Sequence, residues 1–198
     1  MINGLADKRK EFGGDMGLHS TNKFWKDRRY VLFALVSAFF FVQCGATKIP
    51  LDDQAKEQKI LAMYQAYKSK SFPNIPDISV MELLKLKSQE KIVLVDVREP
   101  REQRVSMIPD AISVSDFEKN FQHYKNEKVV LYCTIGYRSG LYARKLLKKN
   151  VKAMNLAGSV LAWAHAGKTF VGPNGETKRV HVYSKKWNLL PREYEPVW

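Results

Sequence analysis

Two short runs limit what this chain can fold into. Ile92-Val93-Leu94-Val95-Asp96-Val97 and Val129-Val130-Leu131-Tyr132 are apolar, rich in β-branched residues and almost uninterrupted. A strand with one wet face alternates apolar and polar residues, whereas a continuous run marks a strand covered on both faces, as in a parallel sheet between helices. The surrounding segments have the helical period. Ser79-Val80-Met81-Glu82 matches a capping box and opens a short helix with Met81, Leu83, Leu84 and Leu86 as its apolar residues. Ser139 to Lys149 reads as helix, with Leu141, Leu146 and Leu147 inward and Arg144, Lys145, Lys148 and Lys149 outward or near its C-terminal end. Val151 to Leu156 is a third short strand and Val160 to Ala166 another helix. This alternation implies βαβ units and an α/β fold, a doubly wound parallel sheet with helices on both faces.

The 198 residues leave room for one good core with appendages, at ~100–150 residues per domain. Before the strands, Leu51 to Lys70 reads as a helix, with Asp52 and Asp53 at its start and Lys68 and Lys70 at its end. Ile60, Leu61, Tyr64 and Tyr67 fall near one face. Pro73 and Pro76 break it, and the expected boundary lies there: helical connector 47–74, main domain 75–170, C-terminal extension 171–198. The extension carries Pro173-Asn174-Gly175 as a turn and the aromatics Tyr183, Trp187, Tyr194 and Trp198, expected to cover the core or to line a site's mouth.

Residues 1–46 read as a targeting segment. Val31 to Val42 is a twelve-residue apolar run behind Lys23, Lys26, Arg28 and Arg29. Twelve is short for a ~30 Å hydrocarbon core and suits a signal-peptide h-region behind a basic n-region, counted most naturally from Met16. Three outcomes stay open: cleavage after Ala46, cleavage before Cys44 with lipidation there, or retention as an anchor. Cys44 after such a run resembles a bacterial lipobox, although Gln43 stands where a small residue is usual. From Met16, Gly17 to Thr21 also fits the loose myristoylation pattern. The expected location is exported or membrane-anchored, on the periplasmic or envelope side of a bacterium, with the membrane as partner of the N-terminal segment.

Lys and Arg number 33 against 20 Asp and Glu, a net charge of +13. Such an excess attracts small anions, acidic lipid headgroups or nucleic acid. Zinc-finger spacing, an RNP-like aromatic run and a block of six basic residues are all missing from the sequence, so nucleic acid is not an expected partner. Two cysteines, Cys44 and Cys133, make neither a disulfide framework nor a Cys-based metal site, and the four histidines show no i, i+4 pair.

Cys133 directly follows the second apolar run, where α/β sheets bind ligands. Thr134-Ile135-Gly136-Tyr137-Arg138-Ser139 then enters a helix at once. A tight strand-to-helix loop aims successive backbone N–H groups at one point, and Gly136 permits the turn. Cradle, helix dipole and Arg138 together favour thiolate over thiol.

Cys133-Thr134-Ile135-Gly136-Tyr137-Arg138-Ser139 resembles the C-x-x-G-x-R-S active-site loop of rhodanese-type sulfurtransferases. Three further stretches agree in order: Val95-Asp96-Val97-Arg98-Glu99 with the family's D-x-R strand end, Ile108-Pro109-Asp110-Ala111-Ile112 with its G-H-I-P-G-A-I segment, and Asn155 to Trp163 with its L-x-G-G-x-x-x-W segment. Glu102 stands at the usual upstream acidic position. Ser106-Met107 replaces Gly-His, and Asp110 replaces the following Gly.

The resemblance implies a rhodanese-like domain that transfers sulfane sulfur. Cys133 would be the catalytic nucleophile. Thr134, Ile135, Gly136, Tyr137, Arg138 and Ser139 would bind substrate, with Arg138 attracting a dianionic donor such as thiosulfate. Asp96 and Arg98 would be structural support. The acceptor would be cyanide, a small thiol or a protein thiol, and no organic cofactor or metal is required. Four residues separate Cys133 from Arg138, one fewer than in phosphatases that share this fold, so the loop suits one sulfur atom better than a tetrahedral oxyanion. A rhodanese-like binding or persulfide-carrier module without multiple turnover is the alternative.

Overall fold

The computed structural model describes residues 52–198. The expected targeting segment and Cys44 lie outside the described residues. Helix α1 (Asp53–Ser71) is capped by Asp52, whose carboxylate accepts the Ala55 N–H at 2.7 Å. It ends before Pro73, because the residue preceding a proline is held out of the helical region; Phe72 has φ −153°. There follow β1 (Asp77–Ile78), α2 (Val80–Gln89), β2 (Ile92–Asp96), α3 (Pro100–Gln103), β3 (Ile112–Ser113), α4 (Val114–Lys119), α5 (Phe121–Tyr124), β4 (Lys128–Tyr132), α6 (Tyr137–Leu147), β5 (Ala153–Leu156) and α7 (Ser159–His165). The five strands form one sheet in the order β1-β5-β4-β2-β3, with every pairing parallel.

The two apolar runs of the sequence are the central strands, and their side chains alternate between two cores. Val93 and Val95 of β2, with Val129 and Leu131 of β4, face one layer with Phe117, Ala143 and Leu146. Leu94, Val130 and Tyr132 face the other, with Leu83, Val160 and Leu161. Both faces are therefore covered, which is why neither run contains the polar alternation of a half-exposed strand. The capping box forms as expected: the Ser79 N–H donates to Glu82 at 2.8 Å while the Ser79 hydroxyl accepts the Glu82 N–H. Met81 and Leu61 depart from the expected apolar faces and are exposed. Each stands one residue, about 100° of helix, off the stripe defined by Val80 and Leu83 or by Ile60 and Tyr64.

Helix α1 is part of the body. Ile60 and Tyr64 are fully buried in opposite layers, and the helix packs on both α6 and α7. The break at Pro73 and Pro76 therefore divides no two bodies: the helix and the sheet share one compact unit. Beyond α7, β6 (Phe170–Gly172) and β7 (Gly175–Thr177) pair antiparallel around the expected turn, and β8 (Arg179–His181) pairs in parallel with β9 (Glu195–Val197) after a 3-10 turn at Lys185–Trp187. The four tail aromatics divide. Tyr194 enters the core edge-on to Phe170, Trp187 packs on the core's margin, and Tyr183 and Trp198 are exposed. Among the described residues no helix is long and apolar enough to cross a membrane.

The three departures in the segment after α3 are accommodated. Asp110 takes the left-handed conformation (φ 65°), which a short polar side chain tolerates better than most. Its carboxylate meets Lys87 at 2.8 Å. Ser106 is buried and donates to the Arg179 carbonyl, and Met107 exchanges backbone hydrogen bonds with Val171, both 2.9 Å.

Candidate active site

Strand β4 delivers Cys133 to the sheet's carboxyl end, and the loop Thr134 to Gly136 turns there into α6. Gly136 has φ 104°, a conformation that favours glycine. A methyl group on it would come within 2.6 Å of the Tyr64 ring. The turn aims the Gly136 N–H at the Cys133 sulfur, 3.2 Å away. The Ser139 N–H and hydroxyl lie near enough to favour the thiolate, and that hydroxyl is buried without a hydrogen-bond partner among the described residues. Burial alone pushes the thiol up. The charge of Arg138 and the donors of Ser139 and Gly136 outweigh it and hold the Cys133 pKa below that of an ordinary thiol.

The loop is braced from both sides. Ser159 opens α7 with φ 49°, where the resembling motif has its second glycine. Its hydroxyl accepts the Cys133 N–H and donates to the Leu156 carbonyl, both at 3.1 Å, and the Val160 and Leu161 N–H groups donate to the carbonyls of Cys133 and Thr134. On the α1 side, Asn155 Nδ2 donates to the Gly136 carbonyl at 2.8 Å and to the Tyr64 hydroxyl at 3.1 Å, and Tyr64 in turn donates to Asp77 at 2.6 Å.

Arg138, expected to attract a dianionic donor, lines the cavity and is itself paired with a carboxylate. Its guanidinium binds the fully buried Glu102 carboxylate in a two-pronged pair at 2.6 and 2.7 Å and donates to the Thr134 hydroxyl at 3.1 Å. Burial would raise the Glu102 pKa, but Arg138 and the Glu99 backbone outweigh it and hold that carboxyl below the usual range. Asp96 and Arg98 form a second, wholly buried pair, with Arg98 also donating to the Ser106 carbonyl at 2.6 Å. Neither lines the cavity above Cys133.

That cavity measures about 400 Å³ and is lined by Cys133, Thr134, Ile135, Tyr137 and Arg138 from the loop, by Glu99, and by three aromatics from elsewhere: Tyr67 of α1 and Tyr183 and Trp187 of the tail. Five loop residues that the sequence points to thus meet in one place, while Gly136 and Ser139 contribute from beneath the sulfur. Sequence reasoning passed over Tyr64, Asn155 and the pairing role of Glu102. A polar Asn in an otherwise apolar strand, β5, was the available signal for one of them.

A family model described as the Rhodanese-like domain matches residues 79–166. A sulfurtransferase of Allochromatium vinosum is 34% identical over 95 residues, which make up 46% of this chain and 89% of that protein. The chain belongs to the rhodanese-like family. YtwF of Bacillus subtilis, named as a candidate sulfurtransferase, is 31% identical over 93 residues, 45% of this chain and 90% of that one. The crystal structure of a rhodanese-like domain protein from Staphylococcus aureus is 28% identical, with a TM-score of 0.41, over 45% of this chain and 91% of that one. The rhodanese-like segment holds Cys133, its loop and Glu102. Helix α1 and the tail, with Tyr64, Tyr67, Tyr183 and Trp187, lie outside it.

Proposed function

We propose that this protein is a sulfurtransferase that moves sulfane sulfur from a donor to a thiophilic acceptor through a persulfide on Cys133. The observation that carries the reading is a single thiol at the floor of a cavity, met by N–H donors of its own loop and held below its ordinary pKa. A thiolate so placed attacks the outer sulfur of thiosulfate. The Cys133 S–S bond forms as the donor's S–S bond breaks, and sulfite leaves with the electron pair. An acceptor nucleophile such as cyanide then takes the outer sulfur and returns the thiolate, so the two half-reactions alternate at one residue. The Gly136 and Ser139 donors stabilise the negative persulfide as oxyanion-hole donors do. Cys133→Ser, nearly isosteric, is expected to abolish thiosulfate-to-cyanide transfer in a steady-state assay with the thermal melt unchanged. Retained turnover would put the chemistry elsewhere.

A further inference from the structure

Ser159 holds a strained conformation at the start of α7. It is fully buried and left-handed (φ 49°). Gly158, just before it, is left-handed as well (φ 70°), and there a glycine meets the requirement. A residue with a Cβ is strained in this region, and the motif that the segment resembles has a second glycine at the same place. What the serine brings is its hydroxyl, which accepts the Cys133 N–H and donates to the Leu156 carbonyl, both at 3.1 Å. Cys133 stands one residue past the end of β4 (Lys128–Tyr132). No backbone carbonyl among the described residues takes its N–H, and the Ser159 hydroxyl is the acceptor it has.

We propose that Ser159 is a positioning residue for sulfur transfer: its hydroxyl fixes the peptide that precedes Cys133 and so aims the sulfur at the donors of its own loop. The proposal rests on the sulfur-transfer reading and adds to it a residue that does not line the cavity and acts through Cys133. On the other side of Cys133, its carbonyl accepts the Val160 N–H at 3.2 Å. The peptides before and after Cys133 are thus both tied to the first turn of α7. Because a residue has only two soft backbone dihedrals, both of Cys133 are then set, and its Cα–Cβ bond points one way. That direction brings the sulfur to the Gly136 N–H at 3.2 Å, a contact that rotation of the preceding peptide would lengthen. A hydroxyl suits the task because it donates and accepts at once: the Leu156 carbonyl fixes its O–H, which leaves a lone pair for the Cys133 N–H. A glycine in place of Ser159 would adopt the backbone conformation without strain but leave that buried N–H without an acceptor, which costs free energy.

The test uses two variants of the full chain. Ser159→Gly removes the hydroxyl and the strain together, whereas Ser159→Ala removes the hydroxyl alone. In Ser159→Gly the pH midpoint for alkylation of Cys133 by iodoacetamide is expected to rise. The single-turnover rate of persulfide formation at saturating thiosulfate is expected to fall about ten-fold, within the reach of a misplaced reacting atom, with the half-saturating concentration unchanged. The melting temperature should stay near the parent's, since relief of strain offsets the lost hydrogen bonds. Ser159→Ala should show the same raised midpoint and a lower melting temperature. A serine that only supports the fold would lower the melting temperature in the alanine variant and leave the midpoint where it was. An unmoved midpoint in Ser159→Gly would therefore overturn the proposal, whatever happens to turnover. A parent protein that forms no persulfide with thiosulfate would overturn the sulfur-transfer reading instead, while the alkylation midpoint would still decide whether Ser159 orients the Cys133 sulfur.

Discussion

At the scale of single residues, the site is a balance between burial and fixed charge. Cys133 is 1% exposed, a placement that by itself favours the neutral thiol. Arg138 is the largest influence acting the other way, ahead of the Ser139 and Gly136 donors. The rate at which a small haloacetamide alkylates Cys133 should therefore titrate with a midpoint below that of an ordinary thiol. In Arg138→Gln the midpoint should move up, since the thiolate loses its nearest cation. An unmoved midpoint would mean that the loop's N–H groups alone set it. The reach of sequence reading is clear at this scale. Cys133, Gly136 and Arg138 were legible because a turn needing positive φ, a nucleophile and a cation occupy fixed spacings in one loop. Glu102 as the partner that neutralises Arg138 was not, because pairing across 36 residues leaves no local pattern.

At the scale of elements, α1 determines the loop's shape although it lies outside the rhodanese-like segment. Its Tyr64 fills the space that Gly136 leaves and ties Asp77 to Asn155, which holds the Gly136 carbonyl. Tyr64→Phe keeps the ring but removes one hydrogen-bond partner each from Asp77, which keeps Lys68, and from Asn155, which keeps the Gly136 carbonyl, a loss of about 1 kcal/mol. Thermal denaturation should show that loss, and kcat/KM for thiosulfate should fall with it as Asn155, which holds the Gly136 carbonyl, loses its tie to α1. A variant as stable and as active as the parent would make the Tyr64 hydroxyl incidental. The helix itself was evident from its caps and charges. Its role was not, because a narrow stripe of Ile60 and Tyr64 looks the same whether it covers one neighbour or bridges two layers. The strands were the most legible elements, since burial on both faces forces continuous apolar runs.

At the scale of the whole molecule, two electrostatic facts act at different ranges. The chain's net charge of +13 draws anions toward the surface from roughly a Debye length, ~8 Å at physiological salt. Inside the cavity the one lining cation is paired with Glu102, and three of the lining rings, Tyr67, Tyr183 and Trp187, lie outside the rhodanese-like segment. Those rings come from both ends of the described chain, Tyr67 before the sheet and Tyr183 and Trp187 after it, and the fold alone brings them together over Cys133. The tail's place at the mouth could be named from the sequence only as one of two options, because contact between residues 67 and 187 is set by where β8 and β9 carry the chain. Everything rests on one covalent intermediate. Intact mass measurement of the full chain after thiosulfate, followed by peptide mapping and then by cyanide, tests it directly. One added sulfur atom on Cys133, removed by cyanide and missing in Cys133→Ser, is the predicted result; a folded protein that gains no sulfur at Cys133 would contradict the account.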